Sequence, residues 1–193
     1  MCMTRKGSTG ELPIKRPELA NEMYIEACLE RHLRPDPITA YTARNELKLG
    51  HYGVGDKRAP ALTASLQHVS PARVELSNNR LTDEPMAKVV SMLDKDSIKS
   101  LVLSMNSIGS GSAEAIASLL YSRTSLTRLD LVKCGLMDRH ISEICKALPF
   151  CTSIESLDLS HNAICSSGAG TLASVLDRLL SLKSLDLSWN RIQ

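Results

Sequence analysis

Apolar residues in this chain follow two alternating rhythms. The first is a short Leu-x-Leu unit, seen in Val74-Glu-Leu-Ser-Asn-Asn-Arg-Leu81, Leu101-Val-Leu-Ser-Met-Asn-Ser-Ile108, Leu129-Asp-Leu-Val-Lys-Cys-Gly-Leu136, Leu157-Asp-Leu-Ser-His-Asn-Ala-Ile164 and Leu185-Asp-Leu-Ser-Trp-Asn-Arg-Ile192. These units start 27, 28, 28 and 28 residues apart, and a degenerate copy, Leu47-Lys-Leu-Gly-His-Tyr-Gly-Val54, lies 27 residues before Val74. Alternation with period 2 places both leucines on one face of a short strand. The second rhythm fills the space between units. Ala59, Leu62, Thr63 and Leu66 recur at i, i+3, i+4 and i+7, as do Met86, Val89, Val90 and Leu93, then Ala113, Ile116, Ala117 and Leu120, then Ile141, Ile144, Cys145 and Leu148, then Ala169, Leu172, Ala173 and Leu176. That spacing is one buried stripe of a helix, five times over.

One strand and one helix per 27 or 28 residues, with each unit touching only its neighbours, predicts an α/β solenoid. Its strands are parallel and line the concave face, because helices are wider and take the convex side. Five residues after the first apolar position of each unit stands Asn79, Asn106, Cys134, Asn162 or Asn190, with Tyr52 in the degenerate copy. A buried Asn must find hydrogen-bond partners. Repeated once per unit, it predicts a structural ladder where the chain turns away from the strand, with Cys134 filling one rung.

The ends differ from the middle. Residues 1–16 are polar and Gly/Ser-containing, which predicts a disordered tail. Residues 17–46 read as an N-terminal capping helix and connector, the helix burying Ile25, Cys28, Leu29 and Leu33 and stopping at Pro35-Asp36-Pro37. Residues 47–193 form the repeat domain, about five and a half units. The last strand motif ends at Ile192-Gln193 with no helix after it, which reads as a truncated product or as an edge that docks a partner.

Composition narrows the chemistry. Lys plus Arg total 23 against 21 Asp plus Glu, too balanced for an obligate binder of nucleic acid or of an anionic membrane. No apolar run approaches the ~20 residues that span a bilayer. Leucine occurs 29 times and aromatics make up 3%, so the core is aliphatic. The six cysteines contain no Cys-x-x-Cys and read as free thiols of a cytoplasmic protein. No P-loop, G-x-G-x-x-G or G-x-S-x-G occurs, so no enzyme is expected. No cofactor is implied, and Cys28 with His32 gives two ligands where zinc needs four.

What remains is a surface. The residue between the paired leucines reads Lys48, Glu75, Val102, Asp130, Asp158, Asp186, and the second residue after the pair reads His51, Asn78, Met105, Lys133, His161, Trp189. On strands ~4.8 Å apart, Asp130, Asp158 and Asp186 form an acidic ladder beside His161 and Trp189. The candidate partner-binding residues are Glu75, Asp130, Lys133, Asp158, His161, Asp186 and Trp189, with Trp189 as aromatic anchor and a protein of basic surface as partner. The competing reading is that Leu-Asp-Leu-Ser is plain repeat consensus.

The unit length, the Asn/Cys alternation and the Ala-x-x-Leu helices resemble leucine-rich repeats of the ribonuclease-inhibitor type, over residues 47–193. Tyr24-Ile-Glu-Ala-Cys28 and Leu47 to Gly55 are loosely similar to intracellular repeat proteins of cilia and testis. The resemblance implies a horseshoe that binds or scaffolds proteins without catalysis, in the cytoplasm or on the cytoskeleton. It also allows a Ran-type GTPase activator or the sensing arm of a NOD-like receptor. The arginines Arg80, Arg128 and Arg191, relevant to the GTPase reading, are expected to be solvated.

Overall fold

A computed structural model describes residues 17–35, 45–122 and 124–193. The elements run α1 (Pro17–Glu30), β1 (Glu46–Lys48), α2 (Gly55–Leu66), β2 (Arg73–Glu75), α3 (Asp83–Ser91), β3 (Ser100–Val102), α4 (Ser110–Tyr121), β4 (Arg128–Asp130), α5 (Asp138–Ala147), β5 (Ser156–Asp158), α6 (Ser166–Ala173) and β6 (Ser184–Asp186). The six strands form one sheet in chain order. Every pair is parallel and in register, so Leu47, Val74, Leu101, Leu129, Leu157 and Leu185 make one row. The first five of that row are buried and Leu185, on the edge strand, is half-buried. The degenerate first copy is therefore a full member of the sheet. The tail at 1–16 and most of the connector up to residue 44 lie outside the described residues.

The helix stripes read from the sequence are buried in α3, α4 and α5 and the residues that follow them, and in α2 apart from half-buried Thr63. Two stripes need correction. In α1 the buried residues are Ala20, Tyr24, Ala27 and Cys28, while Ile25 and Leu29 are exposed and Leu33 is half-buried. The helix lies against α2, and the small side chains of Ala20 and Ala27 allow that approach. Its end is set by His32, whose left-handed backbone (φ 54) lets the Leu33 amide bond back to the Cys28 carbonyl. In α6 only Leu172 of the stripe is buried, and Ala173 and Leu176 are exposed, since among the described residues no further helix packs on its outer side.

The helices are tied together at their N-termini by a second ladder. Asp56 accepts hydrogen bonds from the amide and the hydroxyl of Thr82, both at 2.8 Å, at the start of α3. Asp83 accepts from the amides of Gly109 (3.0 Å), Gly111 (3.0 Å) and Ser112 (2.7 Å) at the start of α4. Asp138 accepts from the Cys165 amide at 2.7 Å, at the start of α6. Each acid thus caps the helix of the following unit, where free amides and the helix dipole favour a negative charge. In α4 Ser110 stands where the acid would be. The α5 start is capped from within instead, Met137 donating its amide to His140 Nδ1 at 3.1 Å.

The caps explain two glycines. A Cβ on Gly109 would come 2.6 Å from the Asp83 carboxylate, and one on Gly168 would come 2.5 Å from Asp138 and 2.9 Å from Ile164. Asp83 cannot retreat without losing its three amides, nor Asp138 without losing that of Cys165. Gly109→Ala and Gly168→Ala are therefore each expected to cost about 1–3 kcal/mol of stability, read as a lower midpoint in urea. An unchanged midpoint in both would show the caps to be slack.

Candidate protein-binding face

The strand ends are held by the asparagine ladder. Asn106 Oδ1 accepts from the amides of Asn79 and Leu81, both at 3.1 Å, in the preceding unit. Its Nδ2 donates to the carbonyls of Leu76 (2.9 Å) and Leu103 (2.8 Å). Asn162 repeats this toward Cys134 and Leu136, with Nδ2 on the Leu131 and Leu159 carbonyls. Asn79 accepts from the Val54 amide and Asn190 from the Ile164 amide. Cys134 has only weak thiol contacts of 3.5 Å to the Leu103 and Val132 carbonyls. Burial pushes that thiol up to about 12, so it stays protonated and unreactive. Tyr52 takes no part in the ladder: its ring is exposed, and the turn there is held by Asn79 reaching across to the Leu49 carbonyl.

The residue before each rung is forced into the left-handed region. His51, Asn78, Met105, Lys133, His161 and Trp189 all have φ between 53 and 64. Of these residue types Asn and His are enriched in this conformation, and Met, Lys and Trp are not. The ladder imposes it, and it throws six exposed side chains onto one rim of the sheet. Neighbours on this rim touch. Asn78 Nδ2 lies 3.0 Å from His51 Nδ1, and the His161 and Trp189 rings stack with centroids 5.4 Å apart and planes 6° apart. Trp189 is nonetheless 77% exposed.

On the sheet itself the acids have local tasks. Glu75, Asp158 and Asp186 each accept a hydrogen bond from the amide two residues on, at Ser77 (2.9 Å), Ser160 (3.0 Å) and Ser188 (2.8 Å). This closes the strand end and gives a structural cause for an acid followed by Leu-Ser. Hydrogen bonds from the Ser188 side chain and amide hold Asp186 below the ordinary carboxylate value, and nearby His161 adds to the effect. Asp130 differs. The Val132 amide turns instead to the Ser104 hydroxyl, and Asp130 is buried beneath Arg128, whose Nε and Nη2 reach it at 3.0 and 2.6 Å. The Asp130 bond and charge raise the Arg128 pKa, so Arg128 is a fixed ion-pair partner rather than a solvated arginine.

The Leucine Rich repeat family matches the chain over residues 97–117, 150–173 and 179–193. Its repeats coincide with the strand–helix units that stack here. This chain is a leucine-rich repeat protein. It is similar to the Tonsoku-like protein of Danio rerio, with 31% identity over 134 residues, 64% of this chain and 9% of that protein. The Tonsoku-like protein of Mus musculus shares 34% identity over 137 residues, 66% of this chain and 10% of that protein. The chain spans about a tenth of the length of these curated relatives.

In this leucine-rich repeat protein the residues expected to bind fall into separate groups. Asp158, Asp186, His161 and Trp189 come together on β5, β6 and the turns that follow. Lys133 and Glu75 sit on earlier units, and Asp130 is covered by Arg128. Arg73, Lys99 and Arg128, which the sequence reading left out of the site, line a cleft of about 490 Å³ over β1 to β4. Their signal was available: each stands one or two positions before its apolar strand residue and so borders the same concave face. No group of three His, Cys, Asp or Glu side chains fit to hold a metal ion occurs among the described residues. None of the described helices is long and apolar enough to cross a membrane.

Proposed function

We propose that this repeat domain is a non-catalytic interaction module whose concave face binds an extended segment of another protein, with β5 and β6 receiving a basic element. The observation that carries this reading is Trp189, exposed yet held flat against His161, with Asp158 and Asp186 beside it in adjacent register positions. Neither carboxylate makes an ion pair among the described residues, so each keeps an oxygen for a partner's lysine or arginine. An exposed aromatic ring on the turn that follows a strand bearing a carboxylate suits a cation over its face. The buried free thiols Cys28, Cys134, Cys145 and Cys151 support a reducing, cytoplasmic setting.

Trp189 is the single tryptophan of the chain, so its emission reports on this site alone. Titration with an Arg/Lys-rich peptide is expected to shift that emission, with a midpoint that weakens as salt rises. In the Asp158→Lys/Asp186→Lys chain the affinity should fall at least about tenfold, a loss near 1.4 kcal/mol. Unchanged affinity in the reversed chain would remove the acidic pair from the reading. A flat emission curve in the wild type would remove the site.

A further inference from the structure

We infer that the concave face is polar along its length, and that its first four strands take an acidic stretch of the same partner. The inference rests on the concave face being the binding surface and adds a second subsite with its own chemistry. The cleft over β1 to β4 is bordered by Lys48, Arg73, Lys99 and Arg128, with Val102 and Ser100 in its lining. By formal charge it is nearly balanced, since Glu46, Glu75 and Asp130 lie in the same region. What a partner meets is set by depth rather than by count. The side chains of Lys48, Arg73 and Arg128 are 64%, 67% and 57% exposed, whereas those of Glu46 and Asp130 are 16% and 8% exposed.

The carboxylates are also engaged from below. Glu46 holds Lys48 at 2.6 Å and Arg73 at 3.5 Å, Asp130 holds Arg128, and Glu75 accepts the Ser77 amide. Glu46 and Asp130 fix Lys48, Arg73 and Arg128 in place while leaving outward N–H groups on each of them for a second acceptor. Lys99, exposed at the cleft wall, makes no ion pair among the described residues. Beyond β4 the order reverses: Asp186 is exposed and Asp158 half-buried, and neither makes an ion pair among the described residues.

The dimensions set the ligand. Three strand spacings of ~4.8 Å separate β1 from β4, and an extended chain advances ~3.3 Å per residue, so the cleft spans about four to five residues. A run of glutamates crossing the strands would place carboxylates against Lys48, Arg73, Lys99 and Arg128 in turn. The fitting partner is a segment with an acidic run at one end and a basic, Trp-engaging run at the other, which also fixes its direction on the sheet.

A fluorescein-labelled hexaglutamate peptide, read by anisotropy, tests the acidic subsite apart from the basic one. It is expected to bind the wild-type chain at low salt. In the Lys48→Glu/Lys99→Glu chain, which keeps Arg128 on Asp130 and Arg73 near Glu46, affinity should fall at least tenfold. In the Asp158→Lys/Asp186→Lys chain it should be unchanged or tighter. An Arg/Lys-rich peptide should show the opposite dependence. No binding of hexaglutamate, equal binding by the Lys48/Lys99 variant, or tighter binding of a single-stranded oligonucleotide at the same cleft would each overturn the acidic subsite. Binding of the basic peptide in those cases would leave the Trp189 site standing. Circular dichroism matching the wild type ensures that a loss reports on the face and not on folding.

Discussion

Replacing Asn106 by Ala is expected to destabilise the domain by about 3–4 kcal/mol, whereas Asn190→Ala should cost about 1 kcal/mol. Both remove one rung of the same ladder, and the difference lies in what each leaves behind. Asn106 Oδ1 is the acceptor for the amides of Asn79 and Leu81, two residues with no solvent exposure. Without it those buried donors have lost the acceptor that serves them, at about 1–3 kcal/mol each. Asn190 is half-buried; its Oδ1 accepts from the Ile164 amide, and its Nδ2 donates to the Leu159 and Leu187 carbonyls. Water can replace part of what it supplies. Because each unit contacts only its neighbours, Asn106→Ala should also split the urea transition, by weakening the joint between the units of β2 and β3. Equal losses for the two substitutions would mean that the rungs act locally and do not couple the units.

The second large effect is expected at Asp83. Asp83→Ala removes the acceptor for three amides at the start of α4 and should cost about 2–3 kcal/mol near neutral pH. Its dependence on pH distinguishes a charged cap from a merely packed side chain. Partial burial raises the Asp83 pKa, but hydrogen bonds from Ser112, Gly111 and Gly109 outweigh this and hold it below 3.8. A carboxylate whose pKa is lower folded than unfolded stabilises the fold above the unfolded value, and that contribution disappears as pH falls through the folded value. The gap in unfolding free energy between wild type and Asp83→Ala should therefore be constant above about pH 5 and shrink as pH falls below 3.8. A gap that stays constant to pH 3 would show that the charge contributes nothing.

These two ladders also mark where sequence reading succeeds and where it stops. The asparagine ladder was readable because its residues share a fixed offset from Leu-x-Leu, and burial of that offset follows from the turn it must make. The aspartate ladder is not legible in the sequence. Asp56 and Asp83 each act on a helix 26 to 29 positions further along the chain, and that role exists only once the units stack. The α1 stripe failed for a related reason. Ile25 and Leu29 are the more apolar residues, yet the helix docks through Ala20, Tyr24 and Ala27, because contact distance and not hydrophobicity alone selects the face.

The proposed binding face is legible in the sequence only in part. The column Asp130, Asp158, Asp186 was correctly aligned by spacing, and the strands pair in that register. The fate of Asp130 was not apparent, since it depends on Arg128 two residues away folding back over it and on Ser104 in the preceding unit relieving it of the Val132 amide. Nor did the sequence suggest that the rim residues are fixed by a left-handed turn. That conformation is ordinary for Asn78 and unfavourable for Met105 or Trp189, so residue type gives no hint of it.

Binding along the proposed face requires that one column of residues, from Lys48 to Asp186, lies side by side across a single parallel sheet. Pulsed electron–electron resonance between spin labels at Lys48→Cys and Asp186→Cys, with Cys2 and Cys165 replaced by Ser, measures this directly. The two positions are aligned through every intervening strand. Five strand spacings of about 4.8 Å predict a narrow distribution near 24 Å, widened only by the label arms. A broad distribution centred beyond about 40 Å would place the ends of the column too far apart for one sheet of this spacing, and would contradict the stacked register on which the face depends.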